Sequence, residues 1–241
     1  MQNITYEERA VAFIDVLGFS MLVDKSVHAV SAREELQSLV DMLETSIPLL
    51  NNGVCSTVPA RLIPKHTYVS DSIILSAPLA DPEIENYSGL DILIMRCIQL
   101  SHRFLGAGYL LRGGIAVGNV WHSDGNIVGP AYQEAYRLEG TGENPCIVLS
   151  ESAKECWVKG FGGGSRMCVR DRETLIVNGL HDFYIVDKSH GGIERTFEKY
   201  RCIVDDNLVS ELPVSAKAKW NWFKSFLEQE QSESANWVLS P

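Results

Sequence analysis

AVAFIDVLGFS, residues Ala10–Ser20, decides how the rest of the chain is read. Seven residues that are apolar except for Asp15 make a run too short for a helix, and they predict a strand buried on both faces. Gly18 closes the run, and the Gly18–Ser20 turn leads into a helix whose first N–H groups are free to hold phosphate oxygens. Asp15 is the anomaly. A carboxylate inside an apolar strand is costly unless something compensates its charge.

Outward from this strand, Ser31 and Glu34 have the spacing of a capping box, and Leu36, Leu39, Val40, Leu43, Ile47 and Leu50 recur at helical period. This predicts an amphipathic helix that frays at Pro48. Arg61–Val69 and Ser72–Ser76 read as extended runs separated only by Ser70 and Asp71, which is hairpin spacing. Ser88 precedes a second helix through Leu90, Leu93, Ile94, Ile98, Leu100 and Phe104, stopped at Gly106–Gly108, and Tyr109–Val117 forms the next strand. Strand, helix, hairpin, helix, strand is the order of a split β-α-β unit, so the expected fold is α+β and ferredoxin-like, with helices against a mostly antiparallel sheet. In that topology the first strand and the hairpin are neighbours. Asp15 and Asp71 are therefore expected to meet.

Further on, Gly129–Glu139 reads as a helix, Cys146–Leu149 as a strand and Ser150 as the cap of a short helix. Arg166–Val169, Thr174–Val177 and Phe183–Val186 read as late strands, and Gly162–Gly164 as a flexible turn. The tail carries its own helical signal, with Trp220, Phe223, Phe226 and Leu227 on one face after Ser215. We expect a site-bearing domain over residues 1–190 and a helical extension over 191–241 that packs on the domain or on a partner subunit.

The formal charge of −10 repels nucleic-acid backbones, which argues against a nucleic-acid partner. No long apolar run or basic-apolar leader is present, so the expectation is a cytoplasmic protein without a membrane partner. The six cysteines are scattered without a C-x-x-C pair, and buried reduced thiols are expected. No two histidines have metal-sharing spacing. Two facing aspartates instead suit Mg²⁺ or Mn²⁺, two ions per site, which leave coordination positions for phosphate oxygens and water. Walker A and G-x-G-x-x-G patterns are both missing, which removes the commoner nucleotide-binding folds.

Five segments occur together in one order: FIDVLGFS at Phe13–Ser20, VSDSIILSA at Val69–Ala77, LRGGIAVG at Leu111–Gly118, GPAYQEAYRLE at Gly129–Glu139, and VLSESAKE at Val148–Glu155. This ordered set resembles the class III adenylyl and guanylyl cyclases. The resemblance implies that Asp15 and Asp71, with the Val16 carbonyl, hold the metals, and that Gly18, Phe19 and Ser20 cradle phosphates. It implies that Arg137 stabilises charge at the α-phosphate across a homodimer interface. Gln133 stands where an asparagine positions the ribose, and retains the amide with one more methylene. Thr67 and Asn126 occupy the two purine-reading positions without the charged side chains used there. Arg112 reads as a phosphate ligand, as interface support, or as a surface arginine. The terminal-phosphate lysine has no equivalent near His181, so another basic residue must serve.

Among class III relatives the chain looks most like the pyrimidine cyclases of bacterial Pycsar anti-phage systems, whose cyclic UMP or cyclic CMP switches on a separate effector. Tyr68 reads either as ordinary strand packing or as a bulky group that fills the vacant purine volume. An asparagine amide at 126 can flip to suit uracil or cytosine. UTP is favoured because the resemblance makes uridylate cyclases the commoner kind. CTP, a purine triphosphate, and an inactive nucleotide-binding module are the alternatives.

Overall fold

The computed structural model describes residues 3–160, 165–181 and 192–238, with side chains described as far as residue 233. Strand β1 (Glu7–Val16) is followed by α1 (Phe19–Ser26) and α2 (Val30–Asn52), the hairpin β2 (Lys65–Val69) and β3 (Ser72–Pro78), and then α3 (Gly89–Leu105) and β4 (Leu111–His122). The chain continues through β5 (Ile127–Val128), α4 (Pro130–Thr141), β6 (Ile147–Leu149) and α5 (Glu151–Lys159). It ends with β7 (Cys168–Asp171), β8 (Thr174–Val177), α6 (Gly192–Val209) and α7 (Val214–Val238). The sheet order is β2-β3-β1-β4-β6-β8-β7, with β5 on β4, and the one parallel pairing among these is β4 with β6. This is the expected α+β, mostly antiparallel arrangement.

β1 lies between β3 and β4, and six of its residues in succession are buried. Ala10, Ala12, Ile14 and Val16 face a core shared with α2 and α3, through Leu39, Leu43, Ile47, Leu93, Ile94 and Phe104. Val11 and Phe13 face a smaller core with Ala131 and Ala135 of α4. The helices of the split unit therefore cover one face of the sheet, and α4 covers part of the other.

Gly114 explains how closely α4 sits. A Cβ there would collide with the Ala135 carbonyl and would lie 2.5 Å from the Leu138 Cβ, so only a glycine lets the α4 backbone rest on β4. Gly114→Val is expected to cost about 2–4 kcal/mol in thermal or urea unfolding, as overpacking against backbone does. Gly125→Ala, where the added carbon meets open space, is expected to be neutral.

The tail packs on the domain. Trp220, Phe223 and Leu227 of α7 join Phe197, Tyr200 and Val204 of α6 in a core with Leu105, Leu110 and Leu180, and Phe226 packs at its margin. At the far end of that stretch Glu230, 3% exposed, accepts hydrogen bonds from Arg166 (2.6 Å) and from the Asn178 amide (2.6 Å). Breaking a buried charged contact of this kind is strongly destabilising, so the path of α7 is held at both ends of its apolar face.

Several local expectations need correction. α2 starts at Val30 behind Ala29, without a side-chain cap, so Ser31 and Glu34 form no capping box. The helix also runs through Pro48 to Asn52, because the burial of Leu43 and Ile47 outweighs the hydrogen bond that proline removes. Arg61 lies in a 3₁₀ turn, Ala60–Leu62, which delays the strand to Lys65. Cys97 and Cys168 are buried free thiols as expected, but Cys55 and Cys202 are exposed and Cys146 and Cys156 are half-buried. Gly162–Gly164, Phe183–Val186 and the boundary at 190/191 lie outside the described residues. Among the described residues no helix is long and apolar enough to cross a membrane.

Candidate active site

The end of β1 and the β2–β3 turn build the acidic half of the site. In the ladder Asp15 pairs with Ser72, and Val16 N–H donates to the Asp71 carbonyl at 3.3 Å. Ser70 takes the left-handed conformation (φ 57°) that a two-residue hairpin turn demands, which leaves Asp71 beside Asp15. Burial pushes the Asp15 carboxyl up to about 7, helped by the charges of Asp71 and Glu139 and by a hydrogen bond to Asp71, while Arg112 works against the rise. The two carboxyls thus form a crowded pair that a cation would relieve.

Arg112 is paired across the ladder with Asp15 and contacts two carboxylates, Asp15 at 3.5 Å and, more tightly, Glu139 of α4. Its Nε has no hydrogen-bond partner. Next to this cluster Gly18 begins α1 in a left-handed conformation (φ 91°) that favours glycine, with no side chain capping the first turn. The leading N–H groups of α1 are therefore available to an anion.

A cavity of about 520 Å³ opens here, lined by Asp15, Val16, Asp71, Arg112 and the Gly18–Ser20 turn. Its far wall is α7, through Ser215, Ala216, Lys219 and Trp220. Two carboxylates with hard oxygen donors fit a divalent cation of the Mg²⁺ or Mn²⁺ kind. Among the described residues no set of three or more His, Cys, Asp or Glu side chains forms a closed metal cage. Any remaining coordination positions would fall to substrate oxygens and water.

The other sequence-selected residues lie elsewhere. Gln133 and Arg137 are exposed on α4, where Arg137 Nε donates to the Gln133 carbonyl at 3.3 Å, and neither lines the cavity. Thr67 lies on the α4 side of the sheet, opposite Ile74. Its hydroxyl meets His122 Nε2 at 2.9 Å, and Ser76 Oγ meets His122 Nδ1 at 2.8 Å. Arg9, 3% exposed, donates to Ser76 Oγ at 3.0 Å. Burial and the nearby cations Arg9 and Lys65 lower His122 to about 4, so a neutral ring backs Thr67. Asn126 lies in the turn after His122, where its N–H donates to Ser123 Oγ at 3.1 Å.

Of the two readings of Tyr68, strand packing matches its place. It lies on the opposite face from Thr67, against the core that holds Leu39, Leu43 and Ile47. Sequence reasoning passed over Arg9, Ser76, His122, Glu139 and Lys219. Ser76 and Glu139 stand inside quoted motifs, but the other three carry no local pattern.

The sequence matches no family model and no curated protein. Solved structures do match. The catalytic core of a rhodopsin-guanylyl cyclase with converted specificity, in complex with ATPαS, superposes with a TM-score of 0.50 at 16% identity, over 73% of this chain and 98% of that one. An atypical dimeric guanylyl cyclase domain of the RhoGC fusion protein from the aquatic fungus Blastocladiella emersonii gives a TM-score of 0.50 at 16% identity, over the same 73% and 98%. The fold is that of class III cyclase catalytic domains.

Proposed function

We propose that the chain is a pyrimidine nucleotide cyclase that converts UTP to 3′,5′-cyclic UMP and pyrophosphate at a homodimer interface. The observation that carries this reading is the meeting of Asp15 and Asp71, remote in sequence, at the mouth of a cavity that also holds Arg112 and a helix N-terminus. Asp15, Asp71 and the Val16 carbonyl would hold two divalent ions. When bound, these lower the pKa of an attacking hydroxyl and neutralise phosphate oxygens.

The residues of the chain divide the remaining work. Gly18, Phe19 and Ser20 receive phosphate oxygens at the start of α1. Arg112, already turned toward the carboxylates, supplies a guanidinium to the same polyphosphate. The ribose 3′-oxygen attacks the α-phosphorus, the bond from that phosphorus to the bridging oxygen of the β-phosphate breaks, pyrophosphate leaves and the hydroxyl proton is lost. Gln133 and Arg137 belong to the ribose and the α-phosphate. Because they sit on α4 outside the cavity of their own chain, they are assigned to the site of a second copy.

Thr67 and Asn126 are assigned to the base. The ring that meets the Thr67 hydroxyl, His122, is itself neutral, which supports recognition of a pyrimidine edge by uncharged donors and acceptors. The resemblance to Pycsar cyclases supports a role in anti-phage signalling through a separate effector.

The test is incubation with each of the four ribonucleoside triphosphates and Mn²⁺, followed by separation of products. Cyclic UMP and pyrophosphate are expected, with UTP turned over at least roughly tenfold faster than the purine triphosphates. Bound nucleotide without any cyclic product from the four would overturn the enzymatic reading.

A further inference from the structure

The cavity that holds the two aspartates is closed on one side by the tail of the chain. Ser215, Ala216 and Lys219 recur at helical spacing on α7 and face it together. The placement is not incidental, because α7 is fixed independently by the burial of Trp220, Phe223 and Leu227 and by the clasp on Glu230. Lys219 is thus brought to the cavity by packing in which its own charge has no part.

Lys219 is half-buried, and it makes no hydrogen bond or ion pair with any described residue. Arg112, in the same lining, is by contrast paired with Glu139 and Asp15, and farther along the hairpin Lys224 pairs with Asp205 at 2.7 Å. A partly desolvated ammonium with three donors and no acceptor calls for an anion in the space it faces. That space also receives Arg112 and the free N–H groups of α1, beside Asp15 and Glu139, whose charges reach Lys219 without an ion pair. Cationic groups from three separate elements thus converge on one volume, a pattern that suits a chain of phosphates.

Resting on the reading of the site given above, we infer that Lys219 is a polyphosphate-binding residue, supplied by α7 to the Asp15–Asp71 site of its own chain. The α6–α7 hairpin is then part of the binding site. It grips the β- and γ-phosphates of the substrate and, after cleavage, the pyrophosphate product.

The probe is inorganic tripolyphosphate, which lacks base and ribose, titrated calorimetrically into the full chain in the presence of Mn²⁺. Lys219→Gln is expected to weaken its binding roughly tenfold or more, as the loss of a charge-assisted contact does. Lys219→Arg is expected to restore affinity to within roughly threefold. Lys217→Gln, which removes the same charge from α7 outside the cavity lining, is expected to change nothing. Melting temperatures of all three variants should match the parent, since none touches the apolar face of α7. If the parent chain binds no tripolyphosphate, the reading of the cavity as a triphosphate site fails. If the parent binds and Lys219→Gln binds equally well, that reading stands and the role of Lys219 is overturned. The same holds if Lys219→Gln leaves tripolyphosphate unchanged and instead tightens Mn²⁺, which would make Lys219 a counter-ion of the aspartates.

Discussion

Asp15→Asn is expected to abolish cyclisation and, in the same protein stripped of metal, to raise the melting temperature at pH 8. The two effects share one cause. In the native chain burial and the neighbouring acids hold the Asp15 proton up to about pH 7, whereas the unfolded chain releases it near its ordinary value of 3.8. Between those values the native state binds more protons than the unfolded state, so this group makes stability fall as pH rises, and above pH 7 the full penalty applies. Asparagine keeps the shape and can hydrogen-bond to Asp71 without the charge. A gain on the order of 2–4 kcal/mol at pH 8 follows from the size of the shift, equivalent to several degrees for a chain of this length.

The advantage should shrink as pH drops toward the unfolded-state value of 3.8 and be nearly gone at pH 4, vanishing only below that value, where both states of the parent are protonated. Turnover should fall by about three orders of magnitude or more, because a metal-holding carboxylate has been lost. Melting curves in chelator at pH 4, 6 and 8, taken beside a product assay in Mn²⁺, measure both effects. A variant less stable than the parent at pH 8 would show that the carboxyl pair is not under strain. Retained turnover would remove Asp15 from the reaction.

Mixing two inactive variants is expected to recover activity. Arg137→Ala should lower turnover by about 10²–10³, the usual cost of one donor to developing charge, without weakening Mn²⁺ binding. Asp15→Asn should be inactive for the reason just given. If each site takes its aspartates from one chain and Arg137 from the other, a heterodimer of the two variants holds one site with both defects and one with neither. Random exchange of equal amounts then restores roughly a quarter of the parent activity. The measurement is activity against mixing ratio, with subunit exchange followed by a mass tag. Exchange without recovery would place Arg137 in the site of its own chain, and α4 would then have to move to reach the cavity.

Much of this fold is legible from short-range chemistry. Ser88 and Ser150 were readable as caps because a serine before an apolar helical run accepts the N–H three residues on, and in the structure they accept from Asp91 and Ala153. The hairpin was readable because only two residues separate its strands, and β1 because an unbroken apolar run of that length admits few alternatives. Asp15 announced itself by being charged in such a run. The failures were equally local. Ser31 with Glu34 has cap spacing, but the helix already begins at Val30, while Pro48 ordinarily stops a helix, a signal worth about 3 kcal/mol that yielded to burial of Leu43 and Ile47.

The chain alone therefore determined the order and kind of its elements, and through them the neighbourhood of Asp15 and Asp71, since pairing of adjacent strands follows from connection length and apolar period. Tertiary structure decided everything that depends on which face of an element looks where. It set Tyr68 and Thr67 on opposite sides of the sheet, put the buried Arg9–Ser76–His122 network behind Thr67, and swung Lys219 from the tail to the wall of the acidic cavity. These placements come from dense packing between segments distant in sequence, where the free energy belongs to the assembled interior and no short stretch of residues carries its imprint.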